Sequence, residues 1–170
     1  MAIGIIRNIG GGGNIPSNPV IFENDTYLDG VSEVGIKYSA SGGSYYTKSH
    51  SISDGICFKG LNGGYSDAIY LDGLDLSKYK GKRLIFDISI NGSGAIITKT
   101  FNITASSKRV VCGLGTINSG GWQYPYAVGL TSEEFPEYAV TSNSDVYSGS
   151  RTASSYTNPV LRVRKIYIDN

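Results

Sequence analysis

The chain has few of the side chains on which most catalytic and metal sites depend. Its 170 residues include one histidine and two cysteines. Any serine triad would have to use His50, and no GxSxG segment follows an apolar run. A standard zinc site is excluded because there is no CxxC pair and imidazole and thiolate ligands are too few. The glycine clusters lack the spacing of a phosphate-binding loop. These absences predict a protein that is not an enzyme.

Charge is also scarce and nearly balanced. Charged residues make up 17% of the chain, and 15 basic residues against 14 acidic ones leave a formal charge of +1. Nucleic-acid binding needs clustered lysine and arginine, and only RVRK at Arg162–Lys165 forms a cluster. We interpret that cluster as solvated edge residues first and as an anion site second. Nucleic acid is therefore not an expected partner.

Long apolar runs are missing as well. No segment is long enough to span a bilayer, so membrane insertion is not expected. The start MAIGIIRNIGGGG has neither a basic leader nor an apolar core, which predicts a protein made in a cytoplasm without a secretion signal. In that compartment Cys57 and Cys112 are expected to be reduced, buried thiols.

Strand and turn residues dominate what the chain does contain. It has 23 glycines and 13 tyrosines, a composition that favours strands and turns over helices. In RLIFDISI, residues 83–90, Leu84, Phe86 and Ile88 share one face, and the residues between them share the other. Similar runs lie near Val20, Val34, Ile56, Ile69, Ile97, Val111, Val128 and Val163. Turn signals such as SGG, NGG and NGSG separate them. The pattern predicts an all-β, antiparallel two-sheet sandwich over residues 20–170.

Two segments of this pattern carry further detail. YLDGLDLSKYKGKRLIFDISI, residues 70–90, places a short polar turn between two strands. In the last run, Leu161 and Val163 fall on one face but Ile166 and Ile168 fall on the other. Either both faces of that strand are buried, or a bulge lies near Arg164 and Lys165 and re-aims these two side chains.

The first 19 residues have the composition of an arm. An apolar tip with Ile3, Ile5, Ile6 and Ile9 precedes four glycines and then NIPSNP. Four successive glycines make a hinge, because their chain entropy disfavours a strand. An apolar tip on a flexible tether inserts into a neighbouring copy or another assembly partner. The alternative, that the tip adds a strand to its own sheet, is equally open.

Aromatic residues are the positive signal for binding. GGWQYPY places Trp122, Tyr124 and Tyr126 at alternate positions, so all three rings would face one way in an extended segment. Tyr45 and Tyr46 lie in loop-like sequence. Flat rings in polar loops stack on the apolar faces of sugars, which makes these residues glycan-binding candidates. The alternative for Trp122 is a place in the sandwich core.

Acidic residues offer two weaker sites. Asp25 and Asp29 lie close in sequence, and Asp169 would join them if the domain's two ends meet, which would give oxygen ligands for calcium. Solvated loop acids are the alternative interpretation, and no other cofactor is expected. A glycosidase needs two carboxylates, for which the candidates are Glu133, Glu134 and Glu137, or Asp72 with Asp75. The favoured interpretation is that the glutamates complement a helix dipole and that the two aspartates are turn residues.

Three phrases carry a resemblance: YLDGLDLSKYKGKRLIFDISI, SHSISDGICFKG and RVRKIYIDN. Over residues 20–169 they resemble jelly-roll sandwiches of the galactose-binding and carbohydrate-module type. They are also similar to structural proteins of bacteriophages and prophages of gut Gram-positive bacteria. The resemblance implies a jelly-roll fold, an aromatic sugar platform and a structural calcium near Asp169, and it brings no catalytic residue.

Three functions compete on these grounds. A virion part of a phage, such as a tail, baseplate or capsid-surface component, would dock through its arm into other virion proteins and project the sandwich toward host-surface carbohydrate. Such parts are assembled in the host cytoplasm, and a homo-oligomer, with a trimer as one form, is the expected state. A free carbohydrate-binding module explains the rings but not the arm. A sandwich-fold hydrolase has only the acids named above.

Overall fold

The computed structural model describes residues 17–35, 46–60, 67–91, 93–114, 116–118, 121–124, 127–132, 134, 146–148 and 160–170. These residues form strands and one single-turn 3-10 helix at Leu76–Tyr79. The strands are β1 (Val20–Glu23), β2 (Thr26–Tyr27), β3 (Ser32–Gly35), β4 (Tyr46–Ser51), β5 (Gly55–Gly60), β6 (Asp67–Asp72), β7 (Arg83–Ile90), β8 (Ile97–Asn102), β9 (Arg109–Leu114), β10 (Thr116–Asn118), β11 (Gly121–Tyr124), β12 (Ala127–Thr131), β13 (Val146–Ser148) and β14 (Val160–Asp169).

Two antiparallel sheets form the body of the domain. The five-stranded sheet has the order β13-β12-β9-β6-β3. In the seven-stranded sheet, β14 pairs with β7 along one side, and β8 follows β7. On its other side β14 pairs first with β5 and then with β1. β4 pairs with β5, and β2 pairs with β1. The all-β, two-sheet prediction is therefore confirmed, while the jelly-roll type stays a prediction.

The long strand β14 contains the bulge. Its pairing with β7 shifts register between Val163 and Lys165, so Arg164 is the extra residue. Before the bulge β14 pairs with β5, and after it β14 pairs with β1. Gly55 begins β5 beside the bulge with a positive φ of 67°, and a Cβ there would lie 2.1 Å from the carbonyl oxygen of Val163. Of the two alternatives for the phase break, the bulge is confirmed.

The core lies between the sheets and follows the period-two pattern. Leu84, Phe86 and Ile88 of β7 are fully buried on its inner face. The outer face of β7 is covered too, because Ile85 is 6% exposed and Ser89 is 0% exposed. Alternation such as that of RLIFDISI is typical of a strand covered on one face, so burial of both faces differs from what the pattern indicates. β7 lies between β8 and β14, where long side chains such as Tyr167 and Arg162 flank Ile85 and Ser89. Both cysteines are buried thiols.

The segment over residues 70–90 crosses from one sheet to the other. Its first strand, β6, belongs to the five-stranded sheet, and its second strand, β7, belongs to the seven-stranded sheet. Between them Asp75 accepts a hydrogen bond from the Ser77 backbone and caps the 3-10 helix. Leu76 and Tyr79 of this helix are buried in the core. The polar turn predicted here is thus an inter-sheet connection with two apolar anchors.

The two ends of the sandwich differ in what they connect. One end, the root end, holds the paired residues Arg83, Asn102 and Asp169. There β6 connects to β7 and β8 connects to β9. The other end, the far end, holds the paired residues Asp67 and Leu114. The strand ends on either side of residues 36–45, 61–66, 115–126 and 149–159 also lie at the far end.

Candidate functional site

The described chain begins at the root end. The Lys82 ammonium group donates hydrogen bonds to the Ser17 carbonyl at 2.7 Å and to the Asn18 side chain at 3.0 Å. The Ile168 amide donates to the Pro19 carbonyl at 3.0 Å. Residues 17–19, which the sequence assigned to the arm, are therefore attached to the sandwich. The predicted assembly residues Ile3, Ile5, Ile6 and Ile9 lie outside the described residues.

The glycan candidates belong to connections at the far end. Trp122 and Tyr124 lie in β11, which pairs with β10 in a two-stranded ribbon, so the predicted extended backbone is present. The pairing shifts register between Thr116 and Ile117. Tyr46 was predicted to lie in loop-like sequence, but it is the first residue of β4. Tyr45 and Tyr126 lie outside the described residues.

The calcium candidates are not brought together. Asp25 faces His50, while Asp169 accepts a hydrogen bond from Asn18 at 3.2 Å and pairs with Arg83 at 3.7 Å. Asp29 is exposed in the segment after β2. Across the described part of the chain, no group of three or more His, Cys, Asp or Glu side chains could hold a metal ion. Asp25 and Asp169 thus contact different side chains, and the three aspartates form no ligand set.

Of the remaining acidic candidates, Glu134 is exposed, and Glu133 and Glu137 lie outside the described residues. The other acidic and basic candidates have local partners. Asp72 lies 3.8 Å from Arg109, and Asp75 caps the 3-10 helix. In the RVRK run, Arg162 contacts Asp54 at 3.2 Å. Arg164 donates to the Ser53 carbonyl, and Lys165 pairs with Glu23 at 3.0 Å. The run is thus paired with the β4–β5 hairpin and with β1.

Sequence reasoning missed a polar cluster at the open edge of the sandwich. We call it the edge cluster, and its members are Asp25, Tyr27, Glu33, Lys48 and His50. Lys48 and His50 lie on the inner face of β4, because they pair with the core residues Phe58 and Ile56. Glu33 lies on the inner face of β3, opposite the buried Leu71. The cluster therefore bridges the edge strands of the two sheets.

Glu33 is the centre of this cluster. Its carboxylate accepts hydrogen bonds from Lys48 and, at 3.0 Å, from the Tyr27 hydroxyl. Nε2 of His50 lies 3.1 Å from Glu33, and Nδ1 lies 3.2 Å from Asp25. Asn24 and Asp25 both have positive φ, which makes the tight β1–β2 turn that presents Asp25 to the imidazole. A protonated imidazole has an N–H on each nitrogen and donates to both carboxylates.

The electrostatics of the cluster follow from these contacts. Burial acts to raise the pKa of Glu33, but the hydrogen bonds from Lys48 and Tyr27 outweigh it and hold that pKa below its usual value. Burial, followed by the negative charge of Glu33, raises the pKa of Tyr27. The phenol therefore stays protonated and donates to an ionised carboxylate. The ring nitrogens of His50 contact carboxylates, in contrast to the Cys–His pair that a thiol nucleophile needs.

The sequence held a weak signal for this site. His50 is the only histidine, and it alternates with Lys48 in a strand whose inner positions are polar. Polar inner positions are expected at the edge of a sandwich, where opposite charges can span the gap between sheets. Pairing these residues with Glu33, 15 positions earlier than Lys48, requires the fold itself.

Comparison with known proteins gives no relative. The chain matches no protein-family model, no curated protein and no solved structure. Within the described ranges, no helix has the length and apolar character needed to cross a membrane.

Proposed function

We propose that the chain is a non-enzymatic structural protein of a bacteriophage particle, a tail, baseplate or capsid-surface component assembled in the host cytoplasm. In this proposal the N-terminal arm fixes the chain to other virion proteins and to copies of itself, with a trimer as one form. The sandwich projects from the particle and adheres to host-surface glycans through its aromatic connections. The resemblance of residues 20–169 to phage proteins and to jelly-roll carbohydrate modules is the ground for the class.

The observation that carries the proposal is the two-ended arrangement of the sandwich. Ser17, from which the arm leaves, is held at the root end by Lys82. The connections that contain or flank Tyr45, Tyr46, Trp122, Tyr124 and Tyr126 join strands at the far end. An attachment segment and a contact surface at opposite ends suit a part that is fixed at one end and touches a target with the other.

The contacts within the edge cluster support a stabilising role for its polar groups. Its carboxylates, imidazole, ammonium group and phenol contact one another across the gap between the sheets. Hydrogen bonds between charged partners stabilise a fold by roughly 1.5–3 kcal/mol each when shielded and less when exposed. Adhesion through rings needs no reactive group, because stacking and burial of apolar surface supply the affinity.

Deletion of residues 1–16 tests the arm. This variant keeps Ser17 and its contact with Lys82, so the sandwich should keep its melting temperature. Its oligomeric state, measured by light scattering, should fall relative to that of the full chain. An unchanged oligomeric state would contradict the assembly role and leave the free carbohydrate-binding module as the better function.

Glycan binding is tested separately with Trp122→Ala on a glycan array. Ile52→Ala is the matched control, because Ile52 is 76% exposed in the β4–β5 hairpin, away from the far end. Loss of one stacked ring should weaken binding about 10-fold, which corresponds to about 1.4 kcal/mol. The control should bind like the parent. Binding that survives Trp122→Ala, or a parent that binds no glycan, would remove the adhesion role.

A further inference from the structure

Strand β8 is an edge of the seven-stranded sheet. Among the described residues β7 is its only paired neighbour. The inward-facing positions of β8 are Ile97, Lys99 and Phe101. Ile97 and Phe101 are packed against the core, but both are only partly buried. Ile96, which precedes the strand, is 50% exposed. An added strand would complete the burial of these apolar side chains and extend the sheet by one strand.

The opposite edge of the same sheet differs. There the inner positions of β4 are Lys48 and His50, and both contact Glu33 of the other sheet. Both of these positions on β4 are polar, whereas two of the three inward positions of β8 are apolar. Of these two edges, β8 is therefore the one suited to accept an apolar segment.

The direction of β8 decides which copy of the chain can supply that segment. β8 runs toward the root end, where Asn102 pairs with Arg83. An arm leaving Ser17 at the root end and lying along its own β8 would run parallel to it, whereas every strand pair in the described sheets is antiparallel. Antiparallel pairing in the same chain would require residues 10–16 to return along about 20 Å of strand at nearly full extension.

We propose that residues 1–9 of a second copy pair antiparallel with β8. Alternation in this segment places Ile3, Ile5 and Ile9 on one face together with Arg7, and the isoleucines would continue the row of Ile97 and Phe101. Ile6 falls on the other face, with Thr98 and Thr100. The arm of a second copy is not anchored at the root end of this sandwich, so it can run antiparallel to β8. The inference rests on the assembly role of the arm proposed above and adds the place where the arm docks.

Hydrogen exchange of the β8 amides tests this docking place. In associated full-length protein, exchange over residues 97–102 should be at least about tenfold slower than in the chain lacking residues 1–16, and the difference should vanish on dilution to monomer. Protection that persists in the monomer would overturn the proposal in favour of the chain's own arm. Association without a change at β8 would overturn the docking place but leave the assembly arm intact. Failure of the full chain to associate would overturn both.

Disulfide trapping gives an independent test in the folded protein. Ile6→Cys in one preparation is mixed with Thr98→Cys or Thr100→Cys in another and oxidised. A disulfide-linked heterodimer is expected for at least one pair, because these residues would share a face. Ile52→Cys serves as the control, since Ile52 is exposed but distant from β8 in the sheet order. Equal trapping by the control, or trapping by neither threonine variant, would overturn the proposal.

Discussion

Glu33 has three partners in the edge cluster, and all three belong to the seven-stranded sheet, whereas Glu33 belongs to the five-stranded sheet. Lys48 and His50 reach it from β4, and Tyr27 reaches it from β2. Its side chain is 23% exposed, so solvent screens these contacts only in part. A carboxylate in this position links three elements that would otherwise meet only through apolar packing.

Replacing Glu33 with glutamine should measure that link. The variant keeps the shape but loses the charge that Lys48 and His50 face, so we expect a loss of about 1–2 kcal/mol in the free energy of unfolding. Urea denaturation at neutral pH measures it. Glu23→Gln is the matched control, because Glu23 has a single, more exposed pair with Lys165 and should cost less than about 1 kcal/mol.

The stability that Glu33 contributes should depend on pH. Because the folded protein lowers the pKa of Glu33, its ionised form stabilises the fold above the unfolded pKa of about 4.3. That contribution is lost as the pH falls through the folded-state pKa. The stability difference between the parent and Glu33→Gln should therefore shrink below about pH 4.3. A difference that stays constant into acid would show that the carboxylate charge is not responsible.

At the scale of elements, the apolar runs predicted the strands well. The nine predicted runs overlap β1, β3, β5, β6, β7, β8, β9, β12 and β14, although the run near Val34 shares only its first two residues with β3. β4 was missed because YTKSHS has no apolar alternation: its inner positions carry Lys48 and His50. The strand is held instead by pairing with β5 and by the charged contacts across the edge. Periodicity detects strands that bury apolar residues, so a strand with a polar inner face escapes it.

The bulge in β14 and the glycine beside it form one unit. A residue with a Cβ at position 55 would meet the Val163 carbonyl at 2.1 Å, and φ there is +67°. Gly81 has a similar φ of +87° but open space around its Cβ position. The two glycines thus separate the cost of a positive φ from the cost of a steric clash.

Alanine substitution at these two positions should therefore differ. Gly81→Ala should lose about 1–2 kcal/mol of stability through its left-handed backbone alone. Gly55→Ala should lose about 1–3 kcal/mol more, because the new Cβ forces the bulge to move. Thermal and urea unfolding measure both. Equal losses would show that the bulge yields freely to the added methyl group.

At the scale of the whole molecule, the sequence predicts least, because the pairing of strands joins residues that are distant in the chain. The phase break in the last run predicted a bulge, but not that β14 would be the shared partner of β1, β5 and β7. That arrangement joins residues near 20, 56, 86 and 163, and no local pattern specifies it. The separation of root end and far end has the same origin, since it depends on strand order.

The central position of β14 gives the last prediction. Truncation after Asn158 removes the strand that pairs with β1, β5 and β7, together with Leu161, Val163, Ile166 and Ile168, which are at most 1% exposed. Burial of four such side chains contributes roughly 6–12 kcal/mol, since each is worth about 1.5–3 kcal/mol. That equals most of the 5–15 kcal/mol by which an ordinary domain is stable. The truncated chain should show no cooperative unfolding transition by circular dichroism.

The chain lacking residues 1–16 is the control for this truncation. It loses more residues than the C-terminal truncation does, yet it keeps every described strand, so it should unfold cooperatively at the parent's midpoint. The contrast between the two variants separates loss of the central strand from loss of chain length. A cooperative transition in the C-terminal truncation would mean that the two sheets hold together without β14, and the pairing of β1, β5 and β7 around it would then be wrong.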